Sequence, residues 1–234
     1  MKAYCIDHFG SVEGVVLRSR DDPRPGRGEI LVRVRATSLN YRDLMLLKGG
    51  GRGPTKLGVV PLSDGAGEVV ARGDGVTRFA VGDRVVGCFH PRWFGGPIKA
   101  DYLTDRLGAN LDGMLAEYAV ISEEAAVPVP DDLSFEEAAT PPCAAVTGWV
   151  ALTRHQRGVT AGDTVLTQGS GGVSVFALVF ARLLGRTAQG AWRGGRDQLC
   201  REAELARGSS PTYRRQRSRL RRRDRRTRHA DQFH

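Results

Sequence analysis

The first half of the chain alternates apolar and polar residues at strand spacing. Between Glu29 and Ala36, apolar side chains hold every second position and arginines lie between them. A period of two residues is typical of a half-buried antiparallel strand. Similar short runs, separated by Gly and Pro turns, occur at Met1–Asp7, Val12–Leu17, Gly65–Arg72, Asp83–Phe89 and Gly113–Ile121. Closely spaced strands of this kind predict a small antiparallel barrel or sandwich.

Two stretches interrupt the strands. Asn40–Lys48 has the composition of a short helix and is followed by three glycines, which commonly end helices. His90–Asp112 shows no periodicity, and so long a loop inside a compact domain is usually functional, often as a lid. Its aromatic residues would either shape a substrate pocket or pack the core of the loop; they are Trp93, Phe94 and Tyr102.

Helical patterns begin at Ser134, which with Glu137 has the spacing of a capping box. After two prolines, Cys143–His155 predicts a second helix. A β-branched strand then precedes a glycine cluster and a nearly all-apolar helical segment over Asp163–Gly185. This order of strand, glycine turn and helix is typical of a dinucleotide-binding fold. Only two of the three fingerprint glycines are matched, so a purely structural turn is the alternative.

The distribution of charge along the chain and the spacing of the cysteines exclude some classes of function. Residues 1–185 hold 20 of the 35 Lys and Arg and 21 of the 26 Asp and Glu, whereas residues 186–234 hold 15 Arg against 5 acidic residues. The net charge of +9 therefore comes entirely from the tail, because residues 1–185 are close to neutral. The four cysteines are far apart with no C-x-x-C pair, which predicts neither a disulfide framework nor a zinc knuckle. No apolar run is long enough for a bilayer, and no signal peptide is evident, so we expect a cytoplasmic protein.

Several motifs occur together in order and spacing. Across residues 1–185 the chain resembles the medium-chain dehydrogenase/reductase superfamily, in particular its zinc-independent, quinone oxidoreductase-like and alcohol dehydrogenase-like branch. The stretches that carry the resemblance are Leu39–Asp43, Pro61–Val70, Val81–Val85, Ala138–Thr140, Thr147–Trp149 and Gln168–Ser174.

The resemblance implies an α/β fold with an N-terminal GroES-like antiparallel β domain and a Rossmann domain. NADPH or NADH would lie between the two domains, and hydride would pass to or from a quinone, activated alkene or carbonyl/alcohol substrate. Asn40 and Thr147 would be the catalytic and nicotinamide-side residues. The pyrophosphate turn would comprise Gly169, Ser170, Gly171, Gly172, Val173 and Ser174. For Asn40, a helix N-cap is an equally good interpretation, and Asp43 is explained by its place in the first helical turn.

The resemblance also bears on metal. In zinc-dependent relatives a Cys and a His occupy the positions of Asn40 and Ser63, and the third ligand falls at Cys143. A catalytic zinc needs about three protein donors, so we expect no metal and interpret Cys143 as a small buried residue. Polarisation of a carbonyl must then come from hydrogen-bond donors. No side chain suits a general acid, and water would supply the proton.

The family pattern ends at Gly185. Residues 186–234 contain no Val, Ile, Met or Lys, and without branched aliphatic residues we expect neither a buried parallel strand nor a core. We interpret this Arg-rich tail as disordered, with the chain truncated or frameshifted after Gly185. The alternative is an evolved basic tail that binds nucleic acid or acidic surfaces non-specifically.

The predicted organisation is a GroES-like β domain over 1–130, the start of an incomplete Rossmann domain over 131–185, and the tail over 186–234. We predict an oxidoreductase by family, impaired by loss of most of its Rossmann domain. Its partner would be a small-molecule substrate rather than a membrane or a specific nucleic acid. Relatives of this kind are often homodimers.

Overall fold

The computed structural model describes residues 1–49, 55–97, 99–154, 158–160, 162–185 and 187–191. Nine strands lie in these ranges: β1 Lys2–Ile6, β2 Val15–Ser19, β3 Glu29–Ser38, β4 Asp64–Arg72, β5 Arg84–Gly87, β6 Tyr118–Ser122, β7 Ala126–Pro128, β8 Thr164–Gln168 and β9 Thr187–Ala191. The α-helices of the same ranges are α1 Tyr41–Leu47, α2 Ala100–Thr104, α3 Phe135–Ala138, α4 Val146–Thr153 and α5 Gly172–Leu183.

A five-stranded antiparallel sheet of order β6-β3-β4-β5-β7 forms the centre of the N-terminal region. Its longest strand, β3, has the predicted alternation: Ile30 and Val32 are fully buried, and Arg33 is exposed. The two buried residues pack with Val69 of β4 and Val85 of β5. Burial of one face of each strand fixes the register, because a slip of one residue would turn the apolar side chains to water. The predicted GroES-like antiparallel domain is confirmed.

The predicted hairpin near the N-terminus is present as the antiparallel pair β1–β2. The capping box is also present: the Glu137 N–H donates to Ser134 Oγ at 3.2 Å, and the Ser134 N–H donates to Glu137 Oε2 at 2.9 Å. The helix that it starts, α3, packs through Ala138 and Ala139 against Ala66 of β4. The segment from Pro130 onward is therefore attached to the sheet by its own small apolar residues.

Several predicted segments differ from the structure in their bounds, three of them in an informative way. The stretch His90–Asp112 is not wholly irregular, because it contains the short helix α2. The strand predicted over Gly113–Ile121 is β6, which begins only at Tyr118. The helix predicted from Cys143 opens instead as a π-helical turn, Pro141–Ala145, which leads directly into α4. The two prolines cannot donate backbone hydrogen bonds, which favours a wider first turn.

A parallel strand follows Gly185, which the sequence pattern did not predict. Strand β9 pairs in parallel with β8 over five residues, from Thr164 with Thr187 to Gln168 with Ala191. Backbone hydrogen bonds to an available strand edge require no branched side chains. The strand propensity of a residue depends strongly on such neighbouring structure. Residues 192–234, on which most of the predicted disordered tail falls, lie outside the described residues. Across the described part of the chain, every helix is too short or too polar to cross a bilayer.

Candidate functional site

Asn40 lies at the end of β3, where the chain turns into α1. It is the N-cap of α1 and forms a capping box with Asp43, whose Oδ2 accepts the Asn40 backbone N–H at 2.8 Å. The structural interpretation of Asn40 is therefore correct as far as its backbone is concerned. Its side chain has a second feature: Nδ2 is buried and has no hydrogen-bond partner of good geometry among the described residues.

Asp64, the first residue of β4, is the acceptor at the centre of the site. Its carboxylate is completely buried. Ser63 Oγ donates to Asp64 Oδ1 at 2.6 Å, and the backbone N–H of Cys143 donates to Oδ2 at 3.0 Å. The Asn40 amide also lies close enough to favour the charged form of Asp64. Asp64 therefore connects β4, the entry to α1 and the turn that leads into α4.

The ionisation of this cluster follows from its burial. Removal from water raises the pKa of Asp64. The hydrogen-bond donors Ser63, Asn40 and the Cys143 N–H partly offset this increase, because they favour the charged carboxylate. Burial also raises the pKa of Cys143 to about 11, and the nearby Asp64 carboxylate adds to that increase. The Cys143 thiol is consequently protonated at neutral pH. The pKa of Asp43 is raised by burial as well.

Thr147 lies one helical turn after Cys143. Its Oγ1 donates to the Cys143 carbonyl at 2.7 Å, and its side chain is exposed. A hydroxyl that donates one hydrogen bond still has lone pairs with which to accept another. The Cys143 backbone therefore connects Asp64 to Thr147 by two hydrogen bonds, and the Asn40 amide lies near Asp64.

The glycine turn packs beside the same helical segment. A Cβ placed on Gly172 would come within 3.1 Å of Ala144 Cβ, and one on Gly148 would come within 3.2 Å of the backbone of Val173 and Ala177. These approaches are close because both positions lack side chains. The start of α5 therefore lies against the segment that carries Cys143 and Thr147.

The turn itself is open to a ligand. Gly169 has a φ of +83°, which favours glycine, and a Cβ at Gly169 or Gly171 would contact nothing within 4 Å. Gly171 is the N-cap of α5 and provides no side-chain cap. Ser174 Oγ donates to the Gln168 carbonyl at 2.9 Å and ties the end of β8 to the helix. Ser170 and Val173 are exposed beside it.

The residues at the family's zinc-ligand positions do not suit zinc. The amide of Asn40 and the hydroxyl of Ser63 are weak neutral donors, so Cys143 is the one good zinc ligand among the three residues, and a catalytic zinc needs about three. Ser63 is moreover engaged with Asp64. Within the described ranges, His, Cys, Asp and Glu form no group of three that could hold a metal ion.

Two of the aromatic residues of the long loop differ in their surroundings. Trp93 packs edge-on against His90 with ring centroids 6.0 Å apart, and its Nε1 donates to the Gly96 carbonyl at 3.1 Å. It therefore packs the loop. Phe94 is exposed. A large surface cavity lined in part by Phe94 contains none of the predicted site residues.

Sequence reasoning missed the central place of Asp64 and the basic group beside it. The Arg42 guanidinium stacks over Phe89 at 4.3 Å from the ring centroid and donates to the Leu107 carbonyl at 3.3 Å. Burial lowers the pKa of Arg42, and the carboxylate of Asp43 opposes that change. One signal was available for Asp64: an acidic residue that opens an apolar strand must find partners inside the protein.

Comparisons with known proteins agree with this architecture. Residues 26–131 match the alcohol dehydrogenase GroES-like domain. A zinc-type alcohol dehydrogenase-like protein of Schizosaccharomyces pombe is 48% identical over 68% of this chain and 46% of its own length. The chloroplastic quinone-oxidoreductase QR1 of Triphysaria versicolor is 36% identical over 75% of the chain and 50% of its own length.

A solved NAD-dependent alcohol dehydrogenase superposes with a TM-score of 0.75 at 34% identity, over 88% of this chain and 61% of that one. The chain thus spans about half the length of the curated relatives it matches. Domain match, sequence relatives and fold agree, and the chain belongs to the medium-chain dehydrogenase/reductase superfamily of oxidoreductases.

Proposed function

We propose that this chain carries the substrate side and the first part of the cofactor side of an NAD(P)(H)-dependent, zinc-independent oxidoreductase. Its substrate would be a small quinone, activated alkene or carbonyl/alcohol compound. One observation carries the proposal: hydrogen bonds connect Asp64 to Thr147 through the Cys143 backbone, the Asn40 amide lies near Asp64, and Ala144, next to Cys143, lies against Gly172 of the glycine turn.

The residues suit a nicotinamide cofactor better than a metal. The first turn of α5 has unpaired backbone N–H groups and a positive dipole end, and the bare glycines let a pyrophosphate approach. Thr147 can accept a hydrogen bond from the carboxamide. When bound, the cofactor supplies or accepts the hydride.

Asn40 has the properties of the polarising donor. A buried donor without a partner costs about 1–3 kcal/mol, and an acceptor oxygen of the substrate would recover that cost. Such a preorganised donor stabilises the negative charge that develops on the oxygen during reduction. Asp64 and Ser63 keep water from the same space because both are completely buried.

The cofactor-binding side of the proposed site is less complete than its substrate side. In the described residues the parallel sheet has only β8 and β9, and a dinucleotide normally lies across a larger parallel sheet with helices on both faces. We therefore expect the chain to bind NADPH or NADH weakly and to turn over little. A fluorescence or calorimetric titration that gave a dissociation constant of about 1 µM, near −8 kcal/mol, would contradict this expectation.

A chimera tests the chemistry separately from the weak binding. The residues after Gly185 would be replaced by the aligned nucleotide-binding part of the S. pombe relative. We expect this chimera to bind NADPH or NADH and to reduce a quinone, an enone or an aldehyde.

The Asn40→Ala variant of the chimera should lower kcat by about 10²- to 10³-fold, the usual effect of removing one such donor. Tyr41→Phe is the control, since Tyr41 is a neighbour whose side chain is largely exposed. A chimera that binds the cofactor but reduces none of these substrates would overturn the proposed function.

A further inference from the structure

Two buried nitrogen atoms at the start of α1 have no hydrogen-bond partner among the described residues: Asn40 Nδ2 and Arg42 Nη2. Each is an NH₂ group that can only donate. A buried donor without an acceptor is unfavourable, and more so when the group is charged. Two such donors on residues one apart from each other in the chain therefore indicate a place where an acceptor atom binds.

The Arg42 guanidinium is fixed by contacts that leave Nη2 unused. Its Nη1 donates to the Leu107 carbonyl at 3.3 Å and to Asp43 Oδ1 at 3.4 Å. Its Cζ lies 4.3 Å from the centroid of the Phe89 ring. The side chain is only 13% exposed. Because both the plane and one end of the guanidinium are held, Nη2 has the fixed position of a preorganised donor.

Arg84 shows how a purely structural arginine is bound in the same chain. Its Cζ lies 4.7 Å from the centroid of the Phe135 ring. Its Nη1 donates to the Pro130 carbonyl and its Nη2 to the Leu133 carbonyl, so both terminal nitrogens have acceptors. Arg42 has the same stacked arrangement but leaves one terminal nitrogen without an acceptor in the described part of the chain. A structural role therefore accounts for Arg84 completely and for Arg42 only in part.

We propose that Arg42 is a second catalytic donor, which binds the substrate oxygen together with Asn40, and this inference rests on the proposed function. Asn40 Nδ2 and Arg42 Nη2 would each donate to one lone pair of a carbonyl or quinone oxygen. When hydride adds to the carbon, the new C–H bond takes the two electrons of the hydride, and the C=O π pair moves to the oxygen. The substrate is reduced, the nicotinamide is oxidised, and water supplies the proton to the oxygen. Both donors stabilise the charge on that oxygen before the proton arrives.

The charges around Arg42 favour a neutral oxygen over a carboxylate. Asp43 pairs with the same guanidinium and is itself 10% exposed. Arg106 and Asp64 are buried as well, and both influence Arg42 electrostatically. Two buried cations are thus matched by two buried carboxyl groups. A carboxylate ligand would disturb this balance and compete with Asp43 for the guanidinium, whereas a carbonyl compound adds no charge on binding.

Titration of the ¹⁵N-labelled full chain with two probes of matched shape tests the inference by NMR. Acetophenone has a neutral carbonyl, and benzoate has a carboxylate on the same ring. We expect acetophenone at millimolar concentration to shift the side-chain amide signal of Asn40 and the Nε–H signal of Arg42 along one binding curve. Benzoate should bind about tenfold more weakly, because it adds a like charge beside Asp43.

The variant Arg42→Lys separates the donor from the structural contact. Lysine keeps a positive charge beside Asp43, but its single nitrogen replaces the planar fork, and the acceptors of Nη1 occupy it. The affinity for acetophenone should fall about tenfold, as for the loss of one hydrogen bond to a polar ligand. Arg84→Lys is the matched control, since it changes the other stacked arginine, and it should leave that affinity unchanged.

A shift of the Asn40 amide without a shift of Arg42, or an unchanged affinity in Arg42→Lys, would overturn the role of Arg42 and leave the proposed function standing. Benzoate that binds as tightly as acetophenone would overturn the preference for a neutral oxygen. If Arg42→Lys does not fold, the wild-type titration decides, because it requires both signals to move together.

NADPH or NADH added to the same wild-type sample distinguishes the two failures. If the cofactor shifts the Asn40 amide while acetophenone shifts neither signal, the inference fails and the proposed function stands. If neither the cofactor nor acetophenone shifts the Asn40 amide, the proposed function itself is overturned.

Discussion

The β domain and the region from α4 to β9, which would bind the cofactor, are built to different degrees of completeness. In the β domain, Ile30, Val32, Val69 and Val85 are completely buried between the strands of one sheet. In the described residues of the α4–β9 region, the buried cluster beneath α5 comprises Leu152, Ala177 and Ala181, with Val159, Val165 and Phe180 partly buried against it. Apolar side chains on α5 and β8 remain exposed in the described structure, namely Leu166, Val173, Val175, Val179 and Leu183.

This difference shows what a motif can and cannot specify. The segment around the glycine turn forms the strand, turn and helix that its local sequence predicts. A helix with an apolar surface nevertheless needs a second layer to cover it, and the two described strands provide little of one. A nucleotide-binding motif can therefore be correctly formed while the surface that should support the nucleotide is incomplete.

The largest expected effect contrasts buried and exposed aliphatic residues. Ile30→Ala in the sheet should destabilise the chain by about 2–5 kcal/mol, through lost burial and the cavity that remains. Leu183→Ala at the end of α5, where the side chain is 76% exposed, should change stability by no more than about 0.5 kcal/mol. Urea unfolding followed by circular dichroism measures both. Equal losses would show that α5 is covered as well as the sheet is.

A second contrast uses two glycines. A Cβ on Gly67 of β4 would lie 2.1 Å from the Arg33 carbonyl oxygen, so Gly67→Ala should cost about 1–3 kcal/mol by overpacking. Gly171 has a φ of −69° and open space around it. Gly171→Ala should therefore cost only about 0.5 kcal/mol, the difference between Gly and Ala at an N-cap.

Gly171→Ala should weaken the response of the α5 amides to NADPH, because the added methyl occupies the approach to the helix N-terminus. The same NMR titration on both chains measures it. Full retention of the response would mean that the glycine turn serves the fold alone.

The smallest effect concerns pH and involves the β domain alone. Hydrogen bonds from the backbone N–H groups of Arg78 and Thr77 hold the pKa of Glu123 below its ordinary value of about 4.5. A lowered carboxyl pKa stabilises the fold above about pH 4.5, and that contribution is lost as the pH falls through the folded-state pKa.

Glu123→Gln should therefore lower the melting temperature at neutral pH and flatten its decline in acid. Glu124→Gln removes a neighbouring exposed carboxylate that pairs with Arg78 and serves as the control. If the melting temperature fell as steeply in acid for Glu123→Gln as for the wild type, other carboxyl groups would be responsible for that fall.

Local patterns predicted most of the fold. The alternation in β3 and the capping box at Ser134 are properties of a few adjacent residues, and both are found as expected. Strand β9 could not be foreseen, because its pairing depends on the edge that β8 offers rather than on its own side chains. The role of Asp64 was missed for a similar reason: its partners Asn40 and Cys143 meet it only in three dimensions.

The site residues chosen from the sequence remain predictions. Their placement is compatible with a shared site, but Asn40 is also a helix cap and Ser174 also ties β8 to α5. Position alone does not separate a structural role from a functional one, and only a ligand-dependent signal can do so.

One measurement addresses the shared site directly: NMR titration of the ¹⁵N-labelled full chain with NADPH and NADH. We expect weak binding, with the amide signals of Asn40, Thr147 and Gly171 shifting together along one binding curve. Signals that move at Gly171 alone, or at none of the three residues, would contradict a nicotinamide site between the β domain and the glycine turn.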